Sequence, residues 1–129
     1  MSIVAEPTYA VIPKSDARSE PYGWGTLTFL ADGKSGTSPE VSMARVTIQA
    51  GKRNILHRHP NCDELLYLLK GKLKHLVGDK WVTLEAGDTI RIARGLVHQA
   101  EVVSAEDADM IVVYSAGDRE TEVLGEGSK

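Results

Sequence analysis

Two of the chain's four histidines stand one residue apart, in His57-Arg58-His59. On a β-strand, residues i and i+2 point to the same side, so the two imidazoles face one way and Arg58 the other. Taken alone, such a pair reads as readily as two ordinary satisfied histidines as it does as a metal-binding pair. Glu64 follows the turn Pro60-Asn61-Cys62-Asp63, after which the next strand can bring a carboxylate back beside the histidines. His98 comes three residues after Gly95, on a later strand that can lie beside the first two. Three imidazoles and one carboxylate are a ligand set for one divalent transition metal, and manganese, iron, nickel, cobalt and zinc all accept it. Structural zinc sites are closed, tetrahedral and often cysteine-rich. A set with one carboxylate and no cysteine leaves an octahedral ion open positions for water, substrate or dioxygen, which suits a working site.

The elements that must position these residues read as short strands. Beyond residue 40 apolar and polar residues alternate in short runs between turn residues, with no helical period. The candidate strands are Gly25 to Leu30, Val41 to Gln49, Ile55 to His59, Glu64 to Leu69, Lys72 to Val77, Lys80 to Leu84, Thr89 to Ile92, Val97 to Val103 and Met110 to Ser115. Gly78-Asp79 signals a two-residue hairpin. This pattern predicts an all-β sandwich or barrel over residues 26–116. It lies between an irregular, proline-containing arm (1–25) and a charged tail (117–129) with little to pack.

The same alternation assigns insides and outsides. His75 shares a face with Leu73 and Val77, which places it in the interior. There it serves as a partner of the metal site, a proton shuttle or a substrate contact, or else as a buried histidine bonded to a neighbour. Val46, Ile48, Leu73, Val77, Ile90 and Ile92 face inward, while Arg45, Arg58 and Arg91 face outward. The expectation is a small, mostly apolar cavity without an internal arginine fork. A hydroxy-ketone, enol or monocarboxylate suits it better than a phosphorylated or multiply charged molecule. Tyr67 is out of phase with Glu64 and faces away from the metal. Tyr114 and Met110 share a face on the last strand and line the cavity or the second sheet. Cys62 reads as a small turn residue, and Trp24 and Trp81 as packing or interface residues.

Composition narrows the partners. A net charge of -3 argues against nucleic acid, which requires clustered Lys and Arg. No apolar run approaches the ~20 residues needed to span a bilayer, and residues 1–9 show no signal-peptide pattern. The lone cysteine excludes an internal disulfide, which fits a cytoplasmic setting.

The spacing is more specific than the residue types. It reads Gly51, five residues, His57, one, His59, four, Glu64, six, Gly71; then Gly87, five residues, Ala93, one, Gly95, two, His98. The first segment resembles the first cupin motif at every fixed position. The second resembles the second cupin motif, with Ala93 where the family often has proline and Val102 where it often has asparagine. Neither position is a ligand, so these departures bear on loop rigidity alone. The resemblance covers roughly residues 40 to 115. It implies a six- or eight-stranded antiparallel jelly-roll barrel with few or no helices. It also implies His57, His59, Glu64 and His98 as metal ligands near one mouth, and Gly51, Gly71, Gly87 and Gly95 at tight bends or positive φ.

Members of this family include dioxygenases, decarboxylases, lyases and isomerases, and the fold does not choose among them. The three-His-one-Glu set most resembles that of dioxygenases and other oxidoreductases. The alternatives are a non-redox lyase or isomerase and a non-catalytic small-molecule-binding module. Small single-domain cupins pair through sheet faces and N-terminal arms. Here Leu65 and Tyr67 lie opposite Leu66 and Leu68, so both faces of one strand are apolar and a homodimer is expected.

Overall fold

The computed structural model describes residues 4–5 and 8–129, so the start of the arm, residues 1–3 and 6–7, lies outside the described residues. Strands are numbered along the chain. The first two, β1 (Val4–Ala5) and β2 (Ala10–Val11), form a small ladder of their own. A six-stranded sheet runs in the order β10 (Thr89–Ile92), β7 (Glu64–Lys70), β12 (Ala108–Tyr114), β5 (Ser42–Ile48), β4 (Gly25–Ala31), β3 (Arg18–Tyr22). A five-stranded sheet runs β13 (Glu122–Gly125), β6 (Leu56–Arg58), β11 (His98–Val102), β8 (Lys72–Val77), β9 (Lys80–Glu85). Every pairing is antiparallel. The only helical element among the described residues is a single 3₁₀ turn at Lys14–Asp16. This is the expected all-β fold, with no helix among the described residues long and apolar enough to cross a membrane.

The period-2 pattern decides which side chains enter the space between the sheets. Ala44, Val46 and Ile48 of β5, Leu66 and Leu68 of β7, Leu73 of β8, Ile92 of β10, and Met110 and Val112 of β12 are all buried. The intervening Leu65, Tyr67 and Leu69 are exposed. Each fully buried Leu or Ile contributes roughly 1.5–3 kcal/mol of transfer free energy. Toward one end of the sandwich the inward positions change character. Glu64 opens β7 and pairs with Tyr114 at the end of β12, and both are buried in the phase that holds leucine and methionine further along.

Tight turns hold this frame. Gly71, between β7 and β8, has φ +87°, and a Cβ there would lie 2.9 Å from Ala108 Cα, so only glycine suits the bend. Gly95 has φ +77°, and its N–H donates to the His59 carbonyl at 2.9 Å, tying the loop before His98 to the histidine pair.

Two regions depart from the sequence reading. In the arm, Arg18–Tyr22 forms an edge strand paired with β4, from Arg18 opposite Phe29 to Tyr22 opposite Gly25. Edge pairing tolerates Pro21, which has no N–H to donate. The tail also packs: Glu122–Gly125 pairs with β6, placing Val123 opposite His57. Its alternation is too short to register as a strand, and it forms because β6 offers an unpaired edge.

Candidate metal centre

The metal-ligand candidates come from both sheets. His57 lies on β6 and is the direct cross-strand partner of His98 on β11. Directly paired side chains on one face lie close together, and the two rings are 4.2 Å apart between centroids. His59 stands just past β6 on the same face as His57, with ring centroids 4.8 Å apart. Glu64 reaches across from the six-stranded sheet, its Oε1 at 3.2 Å from His59 Nε2 and 3.3 Å from His98 Nε2. One ligand atom from each of the four residues lies within 4.8 Å of the others, and all four residues are buried.

Hydrogen bonding fixes the tautomers. His57 Nδ1 meets the Ile55 carbonyl at 2.8 Å, His98 Nδ1 the Leu96 carbonyl at 2.8 Å, and His59 Nδ1 the Glu120 carbonyl at 2.9 Å. A carbonyl oxygen only accepts, so each ring is protonated on Nδ1 and, when neutral, presents the lone pair of Nε2 inward. Nε2 of His59 and Nε2 of His98 are buried and have no hydrogen-bond partner. With both rings neutral, their approaches to Glu64 are close contacts between electron pairs, which a shared proton or a metal ion relieves. Three lone pairs and a carboxylate converging in a buried space call for a cation between them. This donor set fits a divalent transition metal.

The electrostatics of the metal-free cluster agree with that fit for His57 and Glu64. Burial pushes the His57 pKa down to about 3, assisted by the neighbouring His98 and His59, so His57 stays neutral and able to bind metal at any physiological pH. Burial alone would raise the Glu64 pKa, but His59 and His98 outweigh it and hold Glu64 ionised. For His98 burial is likewise outweighed, here by Glu64, and its pKa rises.

His75 is buried, as its phase on β8 predicts. Its Cα partner is Ala100, two residues past His98, and its ring lies 5.8 Å from the His98 ring. Its Nδ1 donates to the Leu76 carbonyl at 3.0 Å. Burial lowers its pKa. It packs behind His98 and stands outside the donor cluster.

A cavity of about 380 Å³ adjoins the donor cluster on the His57 side. Trp24, Leu27, Val46, Ile55 and Val123 make it mostly apolar, with Tyr114 and Asn54 adding polar atoms. His75 is not among its lining residues. Val46 faces inward as expected, and Arg45, Arg58 and Arg91 point out into surface ion pairs with Asp109, Glu122 and Asp63. The expected absence of an internal arginine is nevertheless wrong: Arg119 lines the cavity. It comes from the tail, where no strand phase existed to assign its direction. Trp24 is a cavity wall stacked 4.8 Å from Tyr22, while Trp81 is exposed.

Sequence reasoning also missed how the tail supports the site. Glu120 supplies the carbonyl that orients His59, and Thr121 Oγ1 lies 3.3 Å from the same Nδ1. Asn61, in the turn between the ligands, grips this segment twice. Its Nδ2 donates to the Asp118 carbonyl at 3.0 Å, and its Oδ1 accepts from the Glu120 N–H at 2.8 Å. An asparagine in a Pro-Asn turn carries no signal of its distant partner, because the contact spans 57 residues.

The family described as the cupin domain matches residues 44–114. No curated protein matches the chain. Among solved structures, a mutant of Bacillus subtilis oxalate decarboxylase superposes with a TM-score of 0.77 at 22% identity, over 83% of this chain and 30% of that one. The Lactobacillus farciminis oxalate decarboxylase in a formate complex superposes with a TM-score of 0.79 at 23% identity, over 85% of this chain and 34% of that one. A structure used to assign the Mn(II) centres of the Bacillus enzyme gives a TM-score of 0.76 at 23% identity, over 83% and 30%. At these identities the likeness is one of fold, and the chain spans about a third of the length of those proteins.

Proposed function

This chain belongs to the cupin family, and on that premise we propose that it is a metal-dependent enzyme acting on a small oxygen-bearing organic molecule, with a dioxygenase or other oxidoreductase favoured. The observation that carries this reading is the convergence of three Nε2 lone pairs and the Glu64 carboxylate beside a cavity large enough for a small substrate. A divalent ion held by His57, His59, Glu64 and His98 would supply Lewis-acid polarisation of a substrate oxygen and, if redox-active, electron transfer. The chain's own residues do the rest. The Ile55, Glu120 and Leu96 carbonyls lock the imidazole tautomers. Trp24, Leu27, Val46 and Ile55 exclude water from the bound molecule. His75, behind His98, is a positioning residue: it holds the His98 ring in place and keeps a neutral imidazole in the interior.

The test combines metal loading with turnover. Oxygen uptake by Fe(II)- or Mn(II)-loaded protein, screened over small hydroxy-ketones, enols and monocarboxylates, separates the oxidoreductase from a lyase or isomerase that consumes no oxygen. Tight binding without turnover would make the protein a binding module instead. His75→Ala is expected to keep the metal at saturating Mn(II) and to lower kcat more than it raises KM, and unchanged kcat and KM in that variant would contradict its assignment. We also propose a homodimer. It rests on the exposed apolar strip Val41, Met43, Leu65, Tyr67 and Leu69 on the outer face of the six-stranded sheet. A monomer by light scattering would remove this part.

A further inference from the structure

Arg119 is the one cavity-lining residue that the proposed chemistry leaves unexplained. Its guanidinium is held in place by two aromatic rings, with Cζ 5.0 Å from the Tyr114 ring centroid and 5.4 Å from that of Phe29. One nitrogen, Nη1, donates to Thr121 Oγ1. That hydroxyl in turn lies 3.3 Å from His59 Nδ1. Tyr114 is also close to the metal-ligand cluster, with its ring 5.2 Å from the His59 ring. The arginine is thus fixed by the same residues that border His59, and it lines the same cavity as His57.

Arg119 also borders a second, polar pocket with Glu20, Asp32 and Asp118. Arg119 forms no ion pair with any described residue. Its Nε is buried with no acceptor among the described residues, which leave the guanidinium's hydrogen-bonding capacity partly unfilled. The contrast is Arg18, which also lies over the Phe29 ring and is paired with Asp32 at 2.6 Å. A rigid guanidinium, unpaired in a mostly apolar cavity, is a receptor for a planar two-oxygen anion. No lysine and no second arginine lines the cavity. A single positive charge matches a monoanion and leaves a phosphate dianion under-neutralised.

We propose that Arg119 is the substrate-anchoring residue of this cavity, and that the molecule bound beside the His57/His59/Glu64/His98 cluster is a small monocarboxylate whose carboxylate faces Arg119. This rests on the reading of the cluster as a working metal site. It narrows the substrate class to carboxylates with an apolar body that fits against Trp24, Leu27 and Val46. It also gives the tail a role in specificity, because Arg119 and the carbonyl that orients His59 are adjacent residues.

The experiment measures binding of pyruvate, of its uncharged analogue hydroxyacetone and of inorganic phosphate. Calorimetry or ligand-observed NMR would be run on Mn(II)-treated wild-type protein and on Arg119→Gln, with metal content determined for both. Wild type is expected to bind pyruvate in preference to hydroxyacetone and phosphate. Arg119→Gln is expected to weaken pyruvate by roughly thirtyfold, as for loss of one partner of a desolvated charge pair, with metal content and hydroxyacetone binding unchanged. Equal pyruvate binding by the variant, no pyruvate binding by wild type, or a preference for phosphate or hydroxyacetone would overturn the proposal. If Arg119→Gln does not fold, Arg119→Lys keeps the charge but loses the planar fork, and a roughly tenfold loss for pyruvate alone is expected. Absence of metal from wild type would refute the metal-site reading. The arginine dependence of pyruvate binding still decides the proposal in that case.

Discussion

Replacing Asn61 by Ala should damage both stability and metal affinity, although Asn61 is not a ligand. Its side chain makes two hydrogen bonds to the tail, at 3.0 Å to the Asp118 carbonyl and 2.8 Å from the Glu120 N–H. Each such bond contributes about 0.5–1.5 kcal/mol net. The side chain is partly exposed, so the lower half of that range applies and the pair is worth about 1–2 kcal/mol. A chain of 129 residues has an unfolding entropy near 0.27 kcal/mol/K at its melting point. The expected fall in Tm is therefore about 4–7 °C. The consequence for the metal is indirect. Releasing residues 118–120 frees the Glu120 carbonyl from His59 Nδ1, and loss of such outer support lowers metal affinity roughly 10- to 100-fold. Asn61→Asp keeps the acceptor for the Glu120 N–H and loses the donor to Asp118, so it should show about half the stability loss. Differential scanning calorimetry and competition with a metal-binding dye read both quantities. An Asn61→Ala protein with unchanged Tm and unchanged metal affinity would refute the coupling of tail to site.

Two further predictions follow from local chemistry. In the metal-free protein, the His57 pKa of about 3 lies below its value near 6.5 in the unfolded chain. Below pH 6.5 the unfolded state therefore takes up a proton that the native state refuses, and stability is lost as pH falls, by about 2 kcal/mol between pH 7 and 5. The lowered His75 pKa acts in the same direction, and the raised His98 pKa opposes it in part. Urea midpoints at pH 7 and pH 5 check the sign, and a higher midpoint at pH 5 would contradict it. Gly71→Ala should cost about 1–3 kcal/mol, because φ is +87° and the added Cβ meets Ala108 Cα at 2.9 Å. Gly36→Ala, with φ +79° but open space around it, is expected to cost less in the same urea assay.

The barrel and the donor cluster were legible in the sequence because both depend on short-range patterns. Alternation along Ser42–Ile48, Glu64–Lys70 and Lys72–Val77 fixes which side chains face inward, Glu64 and His75 inherit their direction from it, and His57 and His59 share a side by their own i, i+2 spacing at β6. Turn glycines set the lengths between these strands. The cavity was only half legible, for the same reason. Strand phase correctly turned Arg45, Arg58 and Arg91 outward, but it has nothing to say about Arg119, which precedes the four-residue strand Glu122–Gly125. That strand and Arg18–Tyr22 form by pairing with edges that the rest of the fold creates, so their stability is tertiary in origin. The third imidazole support, the Glu120 carbonyl, is a backbone atom and carries no residue-type signal at all.

His57, His59, Glu64 and His98 are expected to hold one divalent metal ion. Elemental analysis of protein reconstituted with Mn(II) or Fe(II) and then desalted tests it most directly, with His57→Ala and His98→Ala measured alongside. About one ion per wild-type chain is expected, and in each variant loss of most of the metal with the fold retained by circular dichroism. A wild-type protein that stays metal-free after reconstitution, or variants that load as fully as wild type, would contradict it.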